Sequence, residues 1–154
     1  MTSEADAHTK QPTLEGRKAL VTGGTTGIGR AIAGLLASYG VDVFICGRDP
    51  QHLEDALQRI NEVGKGDGIA IDLAEPDNVK RFCDAGAAYL GAVDIAIINA
   101  AIPAKGITAM SEAELRYAIA TDFTAYLLSA HAAAEALGDQ GNIVCIGSMS
   151  AYML

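Results

Sequence analysis

VTGGTTGIGRAI, residues Val21–Ile32, sets an apolar run, a cluster of glycines and the start of an apolar helix pattern in immediate succession. Ala19, Leu20 and Val21 read as the end of a strand, and the run stops at Thr22. Gly23, Gly24, Gly27 and Gly29 follow, and Ile28 opens a helical pattern. Strand, glycine turn and helix form the context in which a glycine spacing points to a bound phosphate. Gly23 permits a sharp turn, Gly27 a close approach of backbone to a pyrophosphate, and Gly29 tight packing of helix on strand. The free N–H groups and positive dipole end of the helix then face an anion. The spacing is G-x-x-x-G-x-G, which differs from the common dinucleotide fingerprint G-x-G-x-x-G.

Outward from that stretch, short apolar runs alternate with helical patterns. The first strand spans Arg17–Gly23 and the first helix Gly27–Tyr39, where Ile28, Ala31, Ile32, Leu35 and Leu36 share a face. Gly40 closes the helix. Val41–Cys46 is a second strand, and Asp49-Pro50 opens a second helix. Gly64, Gly66 and Gly68 are expected to break that helix before a third strand at Ile69–Leu73. A helix over Pro76–Leu90 leads to a fourth strand, Asp94–Asn99, and a loop, Ala100–Met110. Ser111 and Glu114 stand in capping-box spacing at the head of a long helix reaching about Leu137. Gly138–Gly141 reads as a turn and Asn142–Ile146 as a fifth strand. Such alternation implies βαβ units and a parallel sheet. The strands are apolar without alternation, as when helices cover both faces.

The chain has 154 residues, which suits one domain with a sizeable core. Its formal net charge is −8, which argues against nucleic acid or an anionic membrane as partner. No apolar run approaches the ~18–20 residues of a transmembrane helix. Residues 1–13 form a polar tail without a secretory h-region and read as disordered. Cys46, Cys83 and Cys145 stand far apart in apolar surroundings and read as buried, reduced thiols of a cytoplasmic protein.

From about Leu14 to Tyr152 the chain resembles the short-chain dehydrogenase/reductase family. Thr22–Gly29, TGGTTGIG, matches that family's T-G-x-x-x-G-x-G. The resemblance implies a Rossmann-like, doubly wound α/β sheet of order 3-2-1-4-5 over residues 14–154, binding NAD(H) or NADP(H). It also implies that Thr22, Gly23, Thr25, Thr26, Gly27, Ile28 and Gly29 belong to the cofactor site. Asp72 and Leu73 match the residues lining the family's adenine pocket. Asn99 and Ala100 match the middle of its N-N-A-G, with Ile98 and Ala101 departing at either end. Ala101 in place of glycine is expected to crowd the backbone near the adenosine ribose. At the end of the second strand an acid would bind the ribose hydroxyls of NAD. Here Gly47 takes that place and Arg48 follows, a guanidinium that can hold a 2′-phosphate bidentately, so NADP is favoured over NAD.

The family's chemistry implies a serine that polarises a substrate carbonyl and a tyrosine that moves the proton. A lysine lowers that tyrosine's pKa. Ser148 matches the serine, with Ser150 as the alternative. The tyrosine and lysine belong to a Tyr-x-x-x-Lys on the following helix, and Tyr152, with no lysine after it, does not stand in for that tyrosine. Asp122 falls where the family carries a proton-relay asparagine. It keeps the backbone carbonyl, but a carboxylate accepts hydrogen bonds and does not donate them. The resemblance calls for no metal. It implies a small carbonyl or alcohol substrate and a homo-oligomer.

In the order 3-2-1-4-5, one face of strands four and five lacks a helix. Ile95–Ile98 and Ile143–Ile146 are apolar on both sides. Leaving ~300–500 Å² of apolar sheet bare forfeits about 8–12 kcal/mol. The sequence is therefore expected to be a fragment of an oxidoreductase without the family's C-terminal strands and helices. As such it is expected to be inactive alone. A second reading stays open: a non-catalytic, nucleotide-binding or partner-binding protein that uses the bare face as its interface.

Overall fold

The computed structural model describes residues 13–103 and 105–148. Its strands are β1 (Lys18–Val21), β2 (Asp42–Gly47), β3 (Lys65–Ala70), β4 (Val93–Ile98) and β5 (Leu137–Cys145). Its helices are α1 (Gly27–Ser38), α2 (Pro50–Val63), α3 (Asn78–Leu90), α4 (Glu112–Ala118) and α5 (Tyr126–Ala136). The strands form one sheet in the order β3-β2-β1-β4-β5, every pair parallel. The parallel pairing is the one expected from the alternation of strands and helices, and the Rossmann-like order is the one the family resemblance implies. The tail, Ser150 and Tyr152 lie outside the described residues.

Both faces of the sheet are covered over its centre, which is why the strand sequences do not alternate. On one face Ala33 and Ala37 of α1 and Ala56 and Ile60 of α2 pack with Val21, Val43, Ile45 and Ile97. On the other, Val79 and Phe82 of α3 pack with Leu20 and Phe44, and the Phe44 and Phe82 rings stack at 5.8 Å. Ala133 of α5 meets Ala96 and Ile98. Neighbours in β1 thus serve opposite cores: Ala19 and Val21 one, Leu20 the other. Toward the β5 edge cover thins, and Ile143 and Val144 are 37% and 45% exposed.

Helix ends follow local chemistry. The Asp49 carboxylate accepts from the Gln51 and His52 N–H groups, at 2.8 and 3.1 Å, and caps α2. At α4, Ser111 Oγ accepts from the Glu114 N–H and Glu114 Oε2 accepts from the Ser111 N–H, a closed capping box. Lys105 Nζ donates to Glu114 Oε1 at 2.6 Å. That lysine, and then the Ser111 donors, hold the Glu114 carboxyl down at about 2. The folded value lies below the unfolded one. This contribution to α4 is therefore complete above the ordinary glutamate range near 4.5 and is lost as pH falls toward 2. Amide exchange in α4 is expected to accelerate over that window. In Glu114→Gln the acid-dependent part is expected to vanish; an unchanged profile overturns the assignment.

Four expectations are corrected. β3 begins at Lys65, so Gly66 and Gly68 lie inside a strand and do not separate it from the helix. A Cβ on Gly66 would stand 2.6 Å from Ile60 Cγ2, and one on Gly68 2.4 Å from the Ile45 carbonyl oxygen. Gly66 thus leaves room for Ile60 of α2, and Gly68 for the backbone of the neighbouring β2. Residues 138–141 lie within β5, as an irregularity between the pairs Val93–Leu137 and Ile95–Asn142. The long helix is interrupted by a π-helical stretch, Ile119–Ala125, between α4 and α5. Of the cysteines, Cys46 and Cys83 are buried but Cys145 is exposed. Burial raises the Cys46 thiol to about 12 and the Cys83 thiol to about 11, so both stay protonated.

Candidate functional site

Thr22 is the joint on which the site is built. Its Oγ1 donates to the Ile97 carbonyl at 3.4 Å and accepts from the Asn99 and Ala100 N–H groups at 2.9 and 3.1 Å. The ends of β1 and β4 are thereby tied together. Asn99 Nδ2 returns the link, donating to the Thr22 and Gly23 carbonyls at 3.1 and 3.2 Å. Gly23 turns with φ +65 and lies against Ala100 Cα, where a Cβ would stand at 2.9 Å. Gly29 is tighter still: a Cβ there would be 2.2 Å from the Gly23 carbonyl oxygen.

The tied turn presents the N-terminus of α1. Thr26 is the residue before α1, and its side chain makes no capping hydrogen bond; the first turn carries no acid. Gly27 has φ +53 with open space where a Cβ would be. Uncapped N–H groups at a helix start, beside an open glycine, suit a diphosphate.

A cleft of about 780 Å³ opens above this turn. Gly23, Thr25, Thr26, Gly27, Ile28, Arg48, Asp72, Leu73, Asn99 and Ala100 all line it. Thr22 and Gly29 stand behind the lining, Thr22 being 2% exposed, and act by shaping the turn. Ala101 also lines the cleft. Gly47 has a reason to be glycine, since a Cβ there would meet Thr25 Oγ1 at 2.2 Å. A side chain at the position where an NAD-type acid would sit therefore has no room beside Thr25.

Arg48 leaves the end of β2 and donates through Nη1 to the Tyr117 hydroxyl at 2.7 Å. Its guanidinium also lies over the Tyr117 ring, 5.6 Å from the centroid. Tyr117 in turn donates to Asp72 Oδ2 at 2.7 Å, and Asp72 Oδ1 accepts from the Ala74 N–H at 3.0 Å. Burial first, and then the Asp72 carboxylate, raises the Tyr117 phenol above its ordinary value, so it stays protonated. Asp49 is engaged at the α2 cap, and among the described residues Arg48 forms no ion pair. Thr121, buried at 6% exposure, also lines the cleft, and its Oγ1 has no partner among the described residues.

The two expected catalytic residues lie outside this lining. Asp122 Oδ1 accepts from the Ile102 N–H at 2.9 Å, which fixes the loop after β4. Ser148 follows β5, whose exit is held by the Ile146 N–H donating to the Ile98 carbonyl at 2.9 Å. Tyr117 and Thr121 escaped the sequence reading. Tyr117 is 69 residues from Arg48 and 45 from Asp72, and no local pattern marks either residue. Among the described residues, no three His, Cys, Asp or Glu side chains are placed to hold a metal, and no helix is long and apolar enough to cross a membrane.

Residues 17–153 match the family model described as short chain dehydrogenase. NADPH-dependent aldehyde reductase 1, chloroplastic, of Arabidopsis thaliana is 30% identical over 149 residues, covering 90% of this chain and 52% of that protein. Glucose and ribitol dehydrogenase of Daucus carota is likewise 30% identical, with 90% and 51% covered. The chain spans about half the length of these curated relatives. Among solved structures, a short chain dehydrogenase from Burkholderia cenocepacia J2315 in complex with NADP superposes with a TM-score of 0.85 at 32% identity. That match covers 93% of this chain and 60% of the other. A metagenomic short-chain oxidoreductase in complex with NADP gives 0.82 at 32% identity, with 90% and 65% covered.

Proposed function

Because this chain belongs to the short-chain dehydrogenase/reductase family, we propose that its cleft binds NADP(H) and that the protein transfers hydride between that cofactor and a small carbonyl compound or secondary alcohol. The nicotinamide supplies or accepts the hydride. The glycine turn and the α1 N-terminus hold the pyrophosphate, Asp72 and Leu73 border the adenine, and Arg48 takes the 2′-phosphate. Ser148 polarises the substrate oxygen. Asp122 contributes through the loop it fixes and through its backbone carbonyl. Residues 1–154 contain no Tyr-x-x-x-Lys, the pair that moves the proton in this family. A frame that continues past Leu154 into that pair supports the reading, and one that does not overturns it as an account of turnover.

The observation that carries NADP over NAD is the pairing of Gly47 with Arg48. The first position has no room for an acid, and the second offers a cation with no carboxylate on it. Titration with NADPH and NADH is the test. The protein is expected to favour NADPH. Arg48→Ala is expected to cost about 10–100-fold in NADPH affinity, or about 1.4–2.8 kcal/mol, with NADH little changed. Equal affinity of the wild-type protein for the two cofactors overturns the assignment.

A non-catalytic, partner-binding role draws support from the outer face of α5 and its approach. Ile119, Phe123 and Leu127 recur there at helical spacing, 60%, 63% and 54% exposed. The same row suits a homo-oligomer contact. Turnover by the protein rules out a purely non-catalytic role, and light scattering reports the assembly.

A further inference from the structure

We propose that Tyr117 is a positioning residue that sets the preference of the cleft for a 2′-phosphorylated cofactor by holding Arg48 in place. The proposal rests on the reading of the cleft as an NADP(H) site and adds to it a residue from a distant part of the chain.

The hydrogen bonds form a chain with one direction. Arg48 donates to Tyr117 Oη at 2.7 Å, and Tyr117 Oη donates to Asp72 Oδ2 at 2.7 Å. A phenol has one proton. With that proton committed to Asp72, the lone pairs of the oxygen are left for Arg48. The Asp72 carboxylate thus orients the phenol, and the phenol orients the guanidinium. Asp72 is itself fixed, since its other oxygen accepts from the Ala74 N–H.

An arginine on a loop is costly to immobilise because its side chain has many rotamers. Arg48 meets the ring of Tyr117 and bonds its hydroxyl, so two contacts restrict it before any ligand arrives. The bond uses one Nη1 hydrogen, which leaves the fork of donors needed to take a phosphate bidentately. Preorganisation of this kind raises affinity without a new contact to the ligand. The benefit goes to the phosphate alone, so NADPH gains and NADH does not. The tie also joins the end of β2 to the Asp72 segment through α4.

Tyr117→Phe keeps the ring and removes only the hydroxyl. NADPH and NADH affinities are measured for the wild-type protein, Tyr117→Phe, Arg48→Ala and the double variant, with the melting temperature of each. In Tyr117→Phe the NADPH/NADH affinity ratio is expected to fall about 5–10-fold with NADH affinity little changed, and the melting temperature to drop modestly for the lost bonds to Arg48 and Asp72. In the Arg48→Ala background the second substitution is expected to have no further effect on the ratio, since both act through one guanidinium. A purely structural tyrosine would lower both affinities together and would add its effect to that of Arg48→Ala. An unchanged ratio in Tyr117→Phe overturns the proposal while leaving the NADP(H) reading intact. Tighter binding of both cofactors would make the tie an obstruction and overturns it equally. A wild-type protein with no preference for NADPH removes the cofactor reading and this proposal together.

Discussion

Gly29→Ala is expected to abolish cofactor binding while leaving a chain of nearly unchanged composition. The new Cβ would lie 2.2 Å from the Gly23 carbonyl oxygen and 2.4 Å from Asn99 Nδ2. The first neighbour is backbone, and the second is held by two hydrogen bonds to the Thr22 and Gly23 carbonyls. Neither can step aside without opening the turn. Either α1 lifts from the sheet or Asn99 lets go, and each moves the N–H groups that face the cleft. Overpacking of this kind costs about 1–3 kcal/mol. NADPH affinity is expected to fall by roughly 100-fold or more, since it depends on those groups. Gly34→Ala is the control on the same helix. A Cβ there meets nothing within 4 Å, so that variant is expected to gain up to about 1 kcal/mol from helix propensity. Urea denaturation and NADPH titration of the two variants separate the cases. Equal behaviour would mean that the contact between α1 and the turn is not as described.

The second large effect is expected at Thr22. Thr22→Val keeps the shape and burial of the side chain but removes the acceptor for the Asn99 and Ala100 N–H groups. Two backbone donors would then lack their partner beneath the cleft, and each such group costs about 1–3 kcal/mol. A loss of about 2–4 kcal/mol is expected, with faster amide exchange at Asn99 and Ala100. Thr22→Ser restores the acceptor and gives up one methyl, so it is expected to stay within about 1 kcal/mol of wild type. A serine variant as unstable as the valine variant would place the effect in packing and not in the hydrogen bonds.

Much of this architecture was legible along the chain because its signals are local. The glycine turn, the Asp49 and Ser111 caps and the unalternating apolar strands each depend on neighbours within a few residues. The parallel sheet followed from the same alternation, since parallel strands need crossovers, whereas the strand order came from the resemblance to the short-chain dehydrogenase/reductase family. Legibility failed where one residue type has two uses. Gly66 and Gly68 look like breakers, but close packing against α2 and β2 demands them within a strand. The residues between Val93 and Ile95 and their partners shift register, and nothing in Gly138–Gly141 distinguishes a free turn from an irregular strand.

At the site the division is similar. The candidate cofactor residues from Gly23 to Ala100 could be named because they fall in one glycine motif and at positions that match the family's motifs, and the cleft gathers ten of them. Thr22 and Gly29 could be named as well, yet their work is to hold the turn from behind. Asp122 was placed by its position in a pattern. Only the fold shows its carboxylate on the Ile102 N–H.

The sequence by itself determined the parallel sheet with helices on both faces, the anion-binding turn and the cation at the end of β2, because each is written in residues close together on the chain. Tertiary structure alone decided what stands beside them. It set Thr25 against Gly47 and brought Tyr117 between Arg48 and Asp72, across 69 and 45 residues of chain. The physical reason is that a hydrogen bond of 2.7 Å depends on where the backbone carries its two partners, and no local propensity encodes that position.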